Sequence, residues 1–474
     1  MLIGLDFDNT IVCYKDVFLT EAKIKGLVSE EWEGSKHELK LLLNSQKNGQ
    51  TLWQKMQGQV YGPSMHKAIL FPGVARFLLR CKLEGHTVFI VSHKTKYGHF
   101  DKTKTLLREE SLKWMGSKGF FKDSLFGINK KNIFFANTQS EKVLKIKSLK
   151  LDVFVDDLEE IFLHHDFPEI KKIYFSGLTS IDSSLELCSN WSDIERVSIG
   201  EINNSEIKHL VNTFYDEPIN SVERLKGRGN SRVYKLLFNK KNSILMKDYP
   251  DLSIDPRPRM QTEVDALKLI EVIGRTPKVV SFDKLQNIAL YEWIKGESLY
   301  EIEDNHIAQA LNFIENLQSL KGKDYWIKAS EACLSAIQLK KQINFRFDRL
   351  LTIKNKSLND FLIDMFEPLF FKAWESAEKN WPSDNLKKEL PKSMQVFSPS
   401  DFGFHNAILK EHGNLVFLDF EYFGRDDPVK LIADFIWHPG MNLSRAQKID
   451  WTKGAFGIFG NDPRLLKRFI SAWP

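Results

Sequence analysis

Paired cysteines are missing from this 474-residue chain: Cys13, Cys81, Cys188 and Cys333 lie far apart, with neither disulfide-framework nor metal-ligand spacing. Free thiols in a reducing cytoplasm are the expectation. No apolar run approaches the ~18 residues of a membrane span. The start, MLIGLDFDNT, lacks the basic region and cleavage site expected of a signal peptide. An excess of charge of one sign is also missing. Lysine and arginine total 67 against 62 aspartate and glutamate, a net +5 spread along the chain, which argues against a nucleic-acid footprint. The phosphate-binding pattern G-x-x-x-x-G-K-[ST] is absent, and no internal repeat or low-complexity tract stands out. What remains is ordinary for a soluble protein: 42% hydrophobic and 27% charged residues, in a chain long enough for two or three cored domains.

The first 195 or so residues alternate short apolar strands with helical periodicity. Residues 2–7, 87–91, 132–135 and 153–155 read as buried strands ending in polar residues, and 73–83 and 104–114 as helices. This alternation predicts a parallel α/β sheet whose ligands bind at the carboxyl ends of the strands. A polar stretch over 190–208 then changes the character of the chain and places a boundary near 200, giving domains 1–198 and 199–474. Strands are expected at 231–238, 243–247 and 288–293. Helices follow beyond Tyr300, one of them with an apolar stripe of Ile307, Leu311, Ile314 and Leu317. The aromatic-rich stretch FLIDMFEPLFFKAW is expected to pack into a core. A small β-rich lobe followed by a helical lobe makes the second half a bilobal α+β domain.

Acids punctuate the strand ends of the first half. In LDFDNT, alternation along the strand points Asp6 and Asp8 the same way, with Phe7 opposite. Ser92 ends the strand in TVFIVSHKT, Lys142 lies in NTQSEKVLK, and Asp156-Asp157 close DVFVDD. These four elements, in this order, resemble the haloacid dehalogenase-like hydrolases over roughly the first 190 residues. The resemblance implies a Rossmann-like parallel-sheet phosphatase. Asp6 would be the nucleophile that forms an aspartyl-phosphate, and Asp8 would protonate the leaving oxygen and then activate water. Lys142 and Ser92 would hold the phosphoryl oxygens. Mg²⁺ would be bound by Asp6, Asp156, Asp157 and the backbone carbonyl of Asp8. Lys145 competes with Lys142 for the lysine role. Residues 14–70 fall where this family inserts a small cap, expected here as a helical lid over a small-molecule phosphate ester. His93, Lys94, Tyr97 and His99 follow Ser92, where substrate contact is one reading, but surface polar positions are the expectation.

In the second half, LKGRGNSRVYKLLF is a glycine-bearing turn between strands that contains Gly227, Gly229, Asn230 and Ser231. SILMKDY puts Lys247 on a strand, QTEVDALKLI puts Glu263 on a helix, and LYEWIKGESL, with Glu292 and Ile294, ends a strand in a glycine turn. The stretch SPSDFGFHNAIL carries Asp401 and Asn406 at D-x-x-x-x-N spacing. GNLVFLDFEYF then supplies a strand-end Asp419, and Asp427-Pro428 and Asp434 follow. The set resembles the aminoglycoside phosphotransferase and choline kinase-like superfamily over about residues 221–437. The resemblance implies an ATP-dependent kinase of small molecules. Asp401 would accept the proton of the acceptor hydroxyl, and Asn406 and Asp419 would hold Mg²⁺. Lys247, oriented by Glu263, would contact the α/β-phosphates under the 227–231 loop, with Glu292 and Ile294 beside the adenine. One departure stands out: the family's usual His-Gly before the base is here Pro399-Ser400. Asp401-Phe402-Gly403 spells the kinase metal triplet, but Asp419 fills that place, and Asp401, with an asparagine five residues on, fills that of the base.

Together these features predict a cytoplasmic, Mg²⁺-dependent phosphatase and ATP-dependent kinase in one chain. It would remove phosphate from one sugar-like metabolite and place phosphate on another hydroxyl, with surface-polysaccharide precursor synthesis as a suggested setting. Two other readings stay open. One domain is catalytic and the other a regulatory nucleotide or phosphate sensor, or the chain is a nucleic-acid end-processing kinase–phosphatase, against which the missing phosphate-loop pattern and weak net charge count. No nucleic-acid or membrane partner is expected. Neither the substrates nor the oligomeric state can be read from the residues.

Overall fold

In the computed structural model, the N-terminal sheet grows outward from its first strand. All residues are described except 101–103, 178–179, 181, 226–230, 321–324, 326, 384, 461 and 474. Leu2–Leu5 pairs in parallel with Thr87–His93 on one side and Val153–Asp156 on the other. Ile133–Ala136 extends the first side, and Lys171–Phe175 and Glu186–Cys188 extend the second, all in parallel. The strand order therefore reverses around Leu2–Leu5, the position beyond whose carboxyl ends parallel α/β sheets bind their ligands. Helices cover a parallel sheet on both faces, which is why these strands are continuous apolar runs. Ile3, Leu5, Ile90, Val153 and Val155 are all buried.

The first strand stops at Leu5, short of the expected residue 7, and the chain turns at Asn9, whose φ is 59°. Asp6 is still anchored to the sheet, because its N–H donates to Val155 O at 2.8 Å. Residues 14–70 contain helices Lys15–Ile24, Lys36–Asn44 and Gly49–Tyr61. Phe18 stacks on Trp53 between two of them, with ring centroids 5.1 Å apart. The helix expected from residue 104 runs instead over Leu107–Ser117.

The chain divides into two compact units at Glu223/Arg224, beyond the expected boundary near 200, and Pro250–Pro256 and Leu285–Asn287 join the first unit. A buried charge cluster ties part of the expected second domain to the first unit. Arg80 donates to Glu195 at 2.8 Å, to Glu206 at 2.9 and 2.6 Å, and to the carbonyl of Gly200 at 3.1 Å. Glu206 lies on helix Asn204–Asn212, so that helix belongs with the first unit.

In the second unit, Arg232–Leu237, Ile244–Asp248, Ile288–Glu292 and Val279–Asp283 form antiparallel neighbours in that order. The helical part includes Asp304–Gln318, on which Ile307, Ile314 and Leu317 are buried and Leu311 half-buried. The stretch FLIDMFEPLFFKAW departs from expectation. Leu362 and Trp374 are buried, but Phe361 is 50% exposed and Leu369 65%, and Ile363, Met365 and Phe371 are exposed as well. Periodicity cannot show which face of an aromatic-rich helix has a neighbour. All four cysteines are free. Among the described residues no helix is long and apolar enough to cross a membrane.

Replacing Arg80 by leucine strands the buried Glu206 without its cation and leaves Glu195 with Arg76, 3.4 Å away, which costs on the order of 3–5 kcal/mol. The Arg80→Leu chain should therefore lose the N-terminal unit first on urea titration, at a clearly lower midpoint than the unaltered chain.

Candidate active sites

Acids and one lysine gather where the central strands of the first unit end. Asp6 follows Leu2–Leu5, Asp156 ends Val153–Asp156, and Asp157 follows it; an oxygen from each lies within 4.8 Å of the others. Lys142, on helix Gln139–Ser148, donates to Asp6 Oδ1 and to Asp156 Oδ2, both at 2.6 Å. Lys145 lies instead over the Phe134 ring, 3.8 Å from its centroid, so the helix presents Lys142 to the acids. Ser92 is 1% exposed, and its Oγ has no partner among the described residues. An orphaned buried hydroxyl of this kind suits a ligand oxygen.

Burial pushes Asp6 and Asp156 above the usual carboxylate range while Lys142 pulls them back; burial and the Asp156 carboxylate lift Asp157 to about 7. At Lys142, burial opposes the charge, but Asp156 and Asp6 outweigh it and hold the ammonium above its ordinary range. Three carboxyls around one ammonium leave the cluster short of positive charge. A compact all-oxygen set with that deficit fits a hard divalent cation such as Mg²⁺, which Asp6, Asp156 and Asp157 would hold.

Asp8 has a lysine of its own. Lys94 Nζ donates to both Asp8 oxygens, at 2.7 and 2.9 Å, and Tyr14 Oη donates to Oδ1 at 2.6 Å. Lys94 was expected at the surface, yet it is 3% exposed and lies 5.2 Å from the Phe7 ring and 5.3 Å from that of Tyr61. The signal was present: Lys94 is two residues past Ser92, and alternation carries both to the same side. Lys36 was also missed; it donates to Asn9 Oδ1 at 2.5 Å from the start of Lys36–Asn44, tying the 14–70 segment to the first motif.

In the second unit Lys247 sits among three carboxylates. Its Nζ donates to Glu263 at 2.7 Å, Asp419 at 2.6 Å and Glu421 at 3.2 Å. Burial opposes the charge here too, and the three acids outweigh it, pushing the ammonium well above its usual range. Glu421 was not expected at the site, although it stands two residues past Asp419. Arg259 donates to its Oε1 at 2.6 Å and Ser231 Oγ to its Oε2 at 3.4 Å. Gly227, Gly229 and Asn230 lie outside the described residues. Glu292 ends the strand next to that of Lys247, whose register partner is Ala289. Glu292 is therefore roughly 10 Å along the sheet from the lysine, a span suited to a nucleotide running from phosphates to base. Ile294 is half-buried just beyond it.

Asp401 Oδ2 accepts from Asn406 Nδ2 at 3.3 Å, and its Oδ1 pairs with His405 Nε2 at 3.1 Å. The His405 contact outweighs burial and holds the Asp401 carboxyl below its usual range. Leu418 N donates to Asn406 O at 2.8 Å, which puts Asn406 beside the residue before Asp419. Asn406 and Asp419 offer oxygen donors that suit Mg²⁺ on nucleotide phosphates. Ser400, where the resembled family has glycine, adopts φ 72°, and its buried Oγ lacks a partner among the described residues. Asp427 caps helix Pro428–Trp437 by accepting from Val429 N at 2.9 Å and is paired with Arg468, while Asp434 is paired with Lys430.

The chain matches no family model and no curated protein. Among solved structures it is similar to spectinomycin phosphotransferase bound to ADP and spectinomycin, at 12% identity over 57% of this chain and 84% of that one, with a TM-score of 0.43. An ADP-bound aminoglycoside phosphotransferase matches at 16% identity over 57% and 86%, with a TM-score of 0.40. A choline kinase from Streptococcus pneumoniae matches at 14% over 56% and 96%, with a TM-score of 0.35. All three scores are below 0.5, so the functional reading rests on the residues.

Two outcomes are expected. Ser400→Gly relieves a left-handed backbone and an unpaired hydroxyl and should raise stability by about 0.5–1 kcal/mol, net of the glycine entropy. Denaturant titration of the C-terminal transition measures it. At the first site, protons compete with the cation for Asp157. In a chain carrying Asn406→Ala to silence the other site, Mg²⁺ affinity by calorimetry should rise about tenfold per pH unit up to pH 7 and then level off. Asp157→Asn should remove that break.

Proposed function

We propose that the chain is a bifunctional phosphatase and ATP-dependent kinase acting on small polar metabolites. One observation carries the reading, and it occurs in both halves. A buried lysine stands among more carboxylates than it can neutralise, and a further acid nearby (Asp8 or Asp401) has partners of its own. Carboxylate clusters short of positive charge suit cation-assisted phosphoryl transfer.

In the first site the Asp6 carboxylate attacks the phosphorus of a phosphate ester. The ester P–O bond breaks, and the leaving oxygen takes a proton from Asp8. Asp8 then takes a proton from water, whose oxygen attacks the aspartyl-phosphate and releases phosphate. Lys142 and the Ser92 hydroxyl hold phosphoryl oxygens, while Lys94 and Tyr14 hold the ionised Asp8 in position to take the proton from water. In the second site Asp401 takes the proton of an acceptor hydroxyl as that oxygen attacks the γ-phosphorus of ATP, and ADP leaves. Lys247 reaches the α/β-phosphates, with Glu292 and Ile294 beside the base. Asp6, Asp156 and Asp157 with the Asp8 carbonyl in the first site, and Asn406 and Asp419 in the second, would hold Mg²⁺, which when bound would supply positive charge to the phosphoryl oxygens. The helical 14–70 segment favours a small ester over a macromolecule. A sugar-like substrate handled in the cytoplasm, as in surface-polysaccharide precursor synthesis, fits this pairing of activities.

Single substitutions separate the sites. Asp6→Asn should cut phosphate release from p-nitrophenyl phosphate and a sugar-phosphate panel by about 10³-fold or more, and leave ATP consumption with free sugars unchanged. Asp401→Asn should do the reverse. An unaltered chain that releases phosphate from none of these esters and consumes no ATP would sink the proposal. ATP that raises the melting temperature without turnover would point to a nucleotide sensor instead.

A further inference from the structure

Beyond the machinery already described, two imidazoles converge on Asp401. His405 Nε2 is 3.1 Å and His438 Nε2 3.5 Å from the same oxygen, Oδ1. The rings stack face to face, with centroids 3.6 Å apart and planes 6° from parallel. Each is held from behind. His405 belongs to the 3₁₀ turn Phe404–Asn406, while His438 caps the end of Pro428–Trp437, its N–H donating to Asp434 O at 3.1 Å.

The backbone sets the tautomer of one ring. Gly440 N–H donates to His438 Nδ1 at 3.0 Å, so that nitrogen carries a lone pair and the proton sits on Nε2, facing the Asp401 carboxylate. A metal at His438 Nε2 would need the proton on Nδ1 and would orphan the Gly440 amide. A carboxylate only accepts, so His405 Nε2 is a donor as well.

Two glycines make room for the stack. A Cβ on Gly403 would lie 2.7 Å from His405 Nδ1 and from Met441 Sδ, and one on Gly440 3.0 Å from the His438 ring. Gly403 has an extended backbone, so space alone explains it.

We propose that His405 and His438 are positioning residues: a stacked imidazole pair that holds Asp401 Oδ1, His405 by a hydrogen bond and His438 from ion-pair range. This leaves Oδ2, which accepts from Asn406 Nδ2 at 3.3 Å, as the oxygen that takes the acceptor's proton. The proposal rests on the reading of Asp401 as the kinase base. It also gives the loop a brace after the base where the resembled family has His-Gly before it, a place taken here by Pro399-Ser400.

The test uses the full chain. With ¹⁵N-labelled histidine, long-range ¹H–¹⁵N spectra should show His438 as the Nε2–H tautomer, a readout that needs no turnover. With Mg-ATP and water as acceptor, His438→Leu should lower kcat between about ten- and hundredfold, with KM for ATP within about twofold and an unchanged unfolding midpoint. His438→Gln, whose amide N–H can stand in for Nε2–H, should recover most of the loss. Three results would overturn the pair: an Nδ1–H tautomer at His438, a stoichiometric transition metal retained on the purified protein and lost in His438→Leu, or a folded His438→Gln no better than His438→Leu. A chain that turns over no ATP would defeat the kinase reading, while the spectra still decide whether the imidazoles donate to Asp401.

Discussion

An ammonium buried among carboxylates is the interaction on which both halves of this chain depend. Neither partner tolerates burial alone: an unpaired charge in the interior costs several kcal/mol, and the pair survives only when geometry and further hydrogen bonds compensate. Lys142 ties the helix Gln139–Ser148 to the ends of two central strands through Asp6 and Asp156. Lys247 ties its strand to Glu263 on a helix and to the Asp419–Glu421 turn. In each case the lysine holds together elements distant in sequence, and in each case the acids outnumber it. The lysine makes the cluster stable enough to form; the remaining deficit of charge is what the proposed uptake of a cation and a phosphate would answer.

Backbone strain accompanies these clusters. Asn9, Ser400 and Asp419 all have left-handed φ values although none is glycine. Each stands beside a proposed reacting or metal-holding acid: Asn9 next to Asp8, Ser400 before Asp401, and Asp419 itself. Non-glycine residues hold such conformations only where their surroundings over-determine them. Here the surroundings are the strand ends, Lys36 on Asn9, and the paired hairpin of Ala407–Leu409 and Leu415–Phe417.

Much of this was legible in the residues, because strand patterns and strand-end acids are local signals. The apolar runs located four of the parallel strands to within a few residues but not Lys171–Phe175 or Glu186–Cys188, and the spacing of Asp401 and Asn406 set the proposed base apart from the triplet Asp401-Phe402-Gly403 that imitates a metal motif. Contacts between distant segments left weaker traces. Lys94 and Glu421 each follow a recognised residue by two positions, so alternation held the clue, but nothing local said that a lysine or glutamate there would be buried. His438 had no local signal, because its partner stands thirty-odd residues earlier and its tautomer depends on the amide of Gly440.

By itself, the sequence determined the alternation of strands and helices, the identity of the acids, and their order along the chain. These follow from hydrophobic periodicity and residue chemistry, which act over a few neighbouring positions. Tertiary structure alone decided which lysine meets the acids, Lys142 over Lys145, and that Arg80 draws the helix Asn204–Asn212 into the first unit. It also decided that the aromatic helices after Phe361 leave an apolar face uncovered, and that two histidines meet at Asp401. The reason is physical: burial and ion pairing are properties of a residue's surroundings, and those are assembled from segments that the chain keeps far apart until it folds.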